Sequence, residues 1–442
     1  MRNRFLQWPN LLSLLGALLM AGLLMSTQVQ AGSNTEESTE PGNTEASEPE
    51  QDLRINSPGS IAKRLEEDEE KKDYLFQFPG VDWVLKPWYD LKAELDKKYG
   101  FKFGISYTAL YQKTNDNFGP EDDAASYDFD ISGTWTFLDR NTDSPMMLGF
   151  DFFRRDTLGT DIPPQVLFTQ FGSLYSNAAP FGEEDLVIGE LYLQKKFKNV
   201  FGIRLGKVFP ITAYDFFPFK NFRTDFLDFN HVTNATIPLP GNGLGGFIMY
   251  RPQPRLMLRL GAHDANADVQ ESGFDTYDGE LFSIFEVGYD TGLLPRIPGG
   301  PPQGHVHVSL WHQDERDDAG IDDGWGIFGS AVQRFGRFTP FVRFGYADVN
   351  AGGPTPAKYM ANVGLVINNI FGQDKDRIGI GYTWSDPADK SLDDQGVIDA
   401  YYRVQVTPEI QVGPTFEIIF DPVRHPDEDT VFLWGFRTRI AI

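Results

Sequence analysis

DTVFLWGFRTRIAI, residues 429–442, is the stretch that decides how this chain is read. With a period of two, Phe432, Trp434, Phe436, Thr438, Ile440 and Ile442 fall on one face, and Leu433, Gly435, Arg437, Arg439 and Ala441 on the other. A soluble sheet turns its apolar face to a core and its arginines to water. Here the apolar side is aromatic and runs to the last residue, while the other side carries two arginines and a glycine. That division suits a wall between lipid and a water-filled lumen, so the stretch is expected to close a transmembrane β-barrel. An edge strand of a soluble sandwich would show the same alternation, and the rest of the chain must separate the two.

Composition narrows the choice. The chain has 442 residues, a formal charge of -24, and 37 Phe, 17 Tyr and 8 Trp. It is too aromatic for a disordered chain. Beyond the N-terminus it has no uncharged apolar run of the roughly 18 residues that a membrane-spanning helix needs. No Pro/Ser-rich linker interrupts the sequence after residue 100, which favours one large β domain over 101–442. Cysteine is absent, excluding disulfide staples and thiol chemistry. The acidic balance would repel a phosphate backbone, so no nucleic-acid partner is expected.

The N-terminus carries an address. Arg2 and Arg4 precede the apolar run 11–25 and the small-x-small site Val29-Gln30-Ala31, so 1–31 reads as a cleaved signal peptide. Residues 32–75 are rich in Glu, Ser, Thr, Pro and Asn and read as a disordered acidic tail, with at most a transient charged helix over 61–73. In 76–100, Trp88, Leu91, Leu95 and Tyr99 recur at spacings of three and four ahead of Gly100. This predicts one short amphipathic helix at the periplasmic mouth.

From Phe101 the period becomes two. Phe101, Phe103, Ile105, Tyr107, Ala109 and Tyr111 oppose Lys102, Gly104, Ser106, Thr108 and Gln112. Tyr127, Phe129, Ile131, Trp135 and Phe137 then oppose Asp128, Asp130, Ser132, Thr134 and Thr136. Similar runs fall near 146–155, 186–196, 200–209, 244–251, 255–264, 280–290, 304–313, 325–334, 338–347, 358–367, 376–385, 396–406 and 409–420, which makes sixteen strands with the closing one. Long links (114–126, 156–185, 210–243, 314–324, 386–395) alternate with short ones (138–145, 197–199, 252–254, 336–337, 407–408), as a barrel with both chain ends in the periplasm requires. Two links on the short side, 291–303 and 368–375, are longer than that pattern asks. The expected fold is all-β: a sixteen-stranded antiparallel transmembrane barrel with a short periplasmic helix and an acidic tail.

Several residues then carry a resemblance. They are Trp88 with Leu91-Lys92-Ala93-Glu94-Leu95 and Tyr99-Gly100; Glu190-Leu191; Arg204-Leu205-Gly206-Lys207; and Asp264-Ala265-Asn266. Above all there is the block Tyr401-Tyr402-Arg403, Thr407-Pro408, Pro414, Asp421-Pro422 and Gly435-Phe436-Arg437. In their order and spacing, from about residue 80 to the end, the chain resembles the carbohydrate-selective outer-membrane porins, the OprB family. It departs at Glu417, where members often carry Gln, and at Ile442, where they end on an aromatic residue. The resemblance implies a channel for passive diffusion of mono- or small oligosaccharides; a general diffusion pore, or a channel for other small organic solutes, is the alternative. The expected setting is the bacterial outer membrane, with lipid and lipopolysaccharide around the barrel and either a monomer or a homotrimer.

Alternation assigns Asp128, Asp130, Asp151, Phe153, Arg155, Glu190, Tyr192, Arg204, Arg259, His263, Glu286, Trp311, Arg343, Tyr401, Arg403, Glu417, Arg437 and Arg439 to the lumen. Sugars present hydroxyls to planar guanidiniums and carboxylates, and C–H faces to aromatic rings, so this mixed lining suits a sugar path. The first choices for sugar contact are Arg204, Glu190, Arg259 and Arg403, with Phe153 and Tyr192; the competing role for each charge is bracing the wall. Segments 156–185 and 210–243 are expected to fold inward, with Tyr214, Phe217, Lys220, Arg223 and Asp225 at the constriction. No enzyme activity, cofactor or metal site is assigned. Gly241-Asn242-Gly243-Leu244-Gly245-Gly246 precedes a strand rather than a helix. The pair His305 and His307 lacks a third ligand, and 314–323 lacks the closing Glu of a calcium loop.

Overall fold

The computed structural model describes residues 56–70, 74–76, 78–291 and 304–442. The expected signal peptide, the first part of the acidic tail and most of the link 291–303 lie outside them. The strands are β1 (Phe101–Thr114), β2 (Asp123–Leu138), β3 (Met146–Thr157), β4 (Glu184–Phe197), β5 (Phe201–Val208), β6 (Gly243–Gln253), β7 (Leu256–Asp264) and β8 (Leu281–Asp290). They continue as β9 (Gly304–Gln313), β10 (Gly324–Gln333), β11 (Phe338–Asp348), β12 (Ala357–Ile370), β13 (Gln373–Pro387), β14 (Gln395–Gln405), β15 (Ile410–Phe420) and β16 (Thr430–Ala441). Each strand pairs antiparallel with its chain neighbours, and β16 returns to β1 to close the barrel. Closure leaves no unpaired edge, the condition for placing strands in hydrocarbon.

The period-two reading survives at the level of single residues. On β16, Phe432, Trp434 and Phe436 point outward and are about half exposed, while Leu433, Arg437 and Arg439 between them are buried. The register that closes the barrel sets Arg437 opposite Leu110 and Arg439 opposite Thr108, so both arginines share the inner face of β1.

The sequence misjudged one turn. The link 368–375 is not long: β12 continues to Ile370 and β13 begins at Gln373, leaving Phe371 and Gly372 as a two-residue hairpin turn with φ of 53° and 83°. Positive φ at both positions matches the right-handed twist of the flanking strands. The polar residues Asn368, Asn369 and Lys375 fall on both faces there and hid the alternation.

Among the described residues, four α-helices join the barrel: α1 (Ile61–Glu69), the 21-residue α2 (Pro79–Tyr99), α3 (Pro164–Phe171) and α4 (Phe229–Val232). Gly100 stops α2 in the left-handed region at φ 70°, where its N–H reaches the Asp96 carbonyl. Helix α1 departs from the sequence reading. It was expected as a transient part of a solvated tail, yet Ile61 and Leu65 are buried beside the inward-facing Tyr192 and by Val208, and Leu65 fills the space over Gly104. One turn of helix brings Ile61 and Leu65 to the same side, so the short charged segment has an apolar stripe to bury.

The lumen holds the apolar core. From the segment between β5 and β6, Phe217, Phe219, Phe226 and Val232 pack on the inward side chains Val332, Phe341, Val366 and Tyr401. From the segment between β3 and β4, Leu167 and Phe171 of α3 pack on Val397, Ile419, Val431 and Leu433. Each such phenylalanine contributes roughly 1.5–3 kcal/mol by burial, enough to hold a long segment inside rather than in water.

Candidate functional site: the lumenal constriction

Segment 209–242 crosses the lumen and is tied to the wall along its length. Its start is held by Glu190 of β4, whose Oε1 accepts from the Phe209 N–H at 3.2 Å and the Thr212 hydroxyl at 3.1 Å. Tyr214 Oη lies 3.0 Å from His263 Nε2, and the Asp215 N–H donates to Glu286 at 2.8 Å. The Asp215 carboxylate pairs with Arg343 and lies 3.2 Å from His307 Nε2. Burial alone would raise Asp215; Arg343 and His307 outweigh it and hold the carboxyl below its ordinary value. Lys220 folds back on its own segment, donating to the carbonyls of Ile211 at 2.6 Å and Asp215 at 3.1 Å. Burial pulls Lys220 down to about 8, although Asp215 and Glu286 work in the opposite direction.

Two carboxylate hubs organise the middle. Asp225 Oδ1 accepts from Arg377 Nη1 at 2.6 Å and the Tyr401 hydroxyl at 3.0 Å, with Arg403 Nη1 at 3.8 Å. Arg437 donates to the carbonyls of Phe222 at 2.6 Å and Asp225 at 2.8 Å. On β2, Asp128 lies between Arg155 at 3.1 Å and Arg223 at 2.6 Å, and Asp130 between Arg223 at 3.4 Å and Arg64 at 3.2 Å. Arg64 reaches Asp151 at 3.0 Å, extending the ladder into α1. Asp68 of the same helix chelates Arg439 through both Nη atoms at 2.7 and 2.8 Å.

The inward arginines divide by burial. Arg204 is flattened on the Tyr192 ring, 4.1 Å from its centroid, and bonds Gln194 and Asn56. Arg259 lies 5.0 Å over Phe247 and 3.7 Å from Glu286; Arg343 lies 4.6 Å over Phe217 and donates to the His231 carbonyl at 2.6 Å. All three are at most 1% exposed and brace the wall. By contrast Arg155, Arg223, Arg377 and Arg403 keep 15, 12, 22 and 10% of their side-chain surface open. Phe153 backs Arg155 at 4.0 Å. Glu417 accepts from Gln112 at 3.0 Å and sits opposite Asp399 on the neighbouring strand.

Sequence reasoning missed Asn56, Arg64, Asp68, Asp215 and Arg377 as parts of this network. Arg377 carries the inward parity of β13 and was within reach of the alternation; the α1 residues gave no such signal. The histidines are committed to protein partners. His305 Nδ1 lies 3.0 Å from Asp290, and His307 stands between Asp215 and Ser330, whose hydroxyl is 3.1 Å from Nδ1. That Ser330, His307, Asp215 row mimics a hydrolytic triad. Ser330 is 3% exposed, however, and no solute reaches its hydroxyl in this conformation. Gly243, Gly245 and Gly246 of the glycine run lie on β6, whose backbone is engaged in sheet pairing with β5 and β7. Among the described residues, one His/Asp/Glu group has ligand atoms within 4.8 Å of one another: Asp116, His425 and Glu428, on the β1–β2 and β15–β16 loops.

The chain shares 20% identity over 327 residues, 71% of its length and 72% of the other, with Porin AaxA of Chlamydia pneumoniae. The barrel superposes on a high-pH structure of Pseudomonas putida OprB with a TM-score of 0.65 at 14% identity, covering 80% of this chain and 97% of that one. The model of the carbohydrate-selective porin family, OprB, matches residues 169–442, which is more than half of the sequence. With its closed sixteen-stranded barrel and its charged, aromatic lumen, the chain belongs to the OprB family of carbohydrate-selective outer-membrane porins.

Proposed function

We propose that mono- or small oligosaccharides diffuse passively along the open edges of Arg155, Arg223, Arg377 and Arg403, through a lumen narrowed by segment 209–242 and, on the periplasmic side, by 56–70. The observation that carries this reading is that the side chains of those four arginines keep part of their surface open, whereas Arg204, Arg259 and Arg343 are sealed. A guanidinium presents fixed donors to sugar hydroxyls, and Phe153 beside Arg155 presents a ring to the C–H face. Carboxylates of Asp128, Asp130 and Asp225 neutralise these cations, so the lining favours a neutral polyol over ions of one sign. Glu190, Tyr192, Arg204, Arg259 and Arg343 then act by shaping the path. No covalent step is needed. Lipid and lipopolysaccharide meet the outer aromatic face, and the signal peptide 1–31 is removed on export.

The test is single-channel current of the full-length protein in planar bilayers, titrated with glucose and maltodextrins. Sugar block should weaken at least severalfold in Arg403→Ala and Arg155→Ala and persist in Arg259→Lys. Equal permeation of sugars, amino acids and salts of similar size in liposome swelling would instead establish a general diffusion pore.

A further inference from the structure

Among the described residues, nothing covers one apolar face of helix α2. Trp83 is 78% exposed, Val84 64%, and Phe76 and Phe78 just before the helix 58 and 52%. So large an aromatic surface in water is costly and marks an interaction site. The helix also has a defined path. At its leading end the N–H groups of Leu75 and Phe76 bond the carbonyls of Gln405 and Val406, and the Tyr89 hydroxyl donates to Glu409 at 3.1 Å. At its far end the Lys97 carbonyl accepts from Arg140 at 2.9 Å, and Gly100 delivers the chain into β1. Helix α2 therefore runs along the periplasmic rim from the β14–β15 turn to the β2–β3 turn.

One contact identifies what covers the exposed face. The Trp88 ring meets Phe103 edge-on, with centroids 5.2 Å apart at 81°. Phe103 is on the outward parity of β1, next to Phe101, which stacks on Phe150 at 5.9 Å. These rings belong to the aromatic girdle at the level where hydrocarbon gives way to headgroups. Helix α2 thus continues the lipid-facing belt at the inner end of the barrel. The polar side of the helix is charge-balanced, with Lys86, Lys92, Lys97 and Lys98 against Asp82, Asp90, Glu94 and Asp96, so it is the exposed tryptophan and its apolar neighbours that suit a phospholipid surface.

We propose that α2 is an interfacial helix seated in the periplasmic leaflet of the outer membrane, with Trp83 and Val84 at the headgroup and acyl boundary. In that position it fixes the chain between the lumenal segment 56–70 and the first strand. The occupant of the exposed face is phospholipid rather than a second protein chain.

The chain contains no cysteine, so a single introduced thiol reads one position without background. Trp83→Cys and Val84→Cys would be spin-labelled in the full-length protein reconstituted in phosphatidylethanolamine/phosphatidylglycerol vesicles. Collision with oxygen, which partitions into lipid, would then be compared with collision with a water-soluble nickel chelate. Trp434→Cys on the lipid face and Phe274→Cys on an extracellular loop give the two reference values. Both side chains are exposed, and a native single-channel conductance, which does not depend on sugar block, verifies folding in each sample. Oxygen dominance at 83 and 84, as at 434, is the expected result. Nickel dominance, as at 274, would put the helix in water and overturn the proposal. Shielding from both probes would also overturn it, by revealing a protein partner or a second copy over the face.

Discussion

Arg64 Nη2 of α1 donates to Asp151 Oδ1 of β3 at 3.0 Å, while its Nη1 reaches Asp130 Oδ2 of β2 at 3.2 Å. Two inward carboxylates on paired strands repel each other unless a cation stands between them. The cation comes from a residue that precedes the barrel by 37 positions in the sequence, Arg64 against Phe101. Segment 56–70 is therefore part of the lumen, and Ser57 to the Thr212 carbonyl, Asn56 to Arg204 and Asp68 to Arg439 hold it there.

Replacing Arg64 by Ala is expected to release this segment. Removing one partner from a largely buried ion pair costs up to about 3–5 kcal/mol. Single-channel conductance should rise in Arg64→Ala, and the segment should become sensitive to protease. Conductance that stays at the native value with the segment cut free would show that 56–70 does not narrow the path.

Asp225→Asn tests the central hub. Arg377, Arg403 and Tyr401 converge on this carboxylate, and the Asp225 main chain is in turn gripped by Arg437. Loss of the negative charge leaves two guanidiniums facing each other and weakens attachment of segment 209–242 by about 3 kcal/mol. Conductance should increase, and the reversal potential in a KCl gradient should move toward that of chloride. A reversal potential unchanged from the native channel would remove Asp225 from the permeation path.

Lys220 gives the segment a pH dependence. In the unfolded chain its ammonium keeps a proton to about 10.5, whereas burial lowers the native value to about 8. Between those values the unfolded state binds more protons, so stability rises with pH; below about 8 the cost of keeping a dry ammonium is present in full. The melting temperature of the native protein, relative to Lys220→Met, should climb as pH goes from 7.5 to 10, by at most about 3 kcal/mol in stability. A flat or falling difference would mean that the ammonium is fully solvated by the carbonyls around it.

Much of the fold was legible in the sequence because a strand in a barrel wall has one dry face and one wet face. Each residue therefore declares its side by parity, and Trp434 against Arg437 was enough to orient β16. The candidate site was legible only to the same depth. Arg204 and Arg403 have the same parity and the same chemistry, yet one is sealed on Tyr192 and the other is partly open. What separates them is which groups folding brings in from far away: Asn56, 148 positions earlier, for Arg204, and Asp225 for Arg403. The link 368–375 failed for a different reason: its polar residues on both faces carry no period to read.

Local alternation by itself determined the sixteen strands of the barrel and marked each of them with one dry and one wet face. Tertiary structure alone decided that a charged N-terminal segment fills the mouth, that segment 209–242 is clamped across the middle, and which guanidiniums remain open to a solute. The reason is physical. The face of a strand is fixed by adjacent residues through backbone geometry, whereas burial of a charge depends on every group that folding gathers around it, from any distance along the chain.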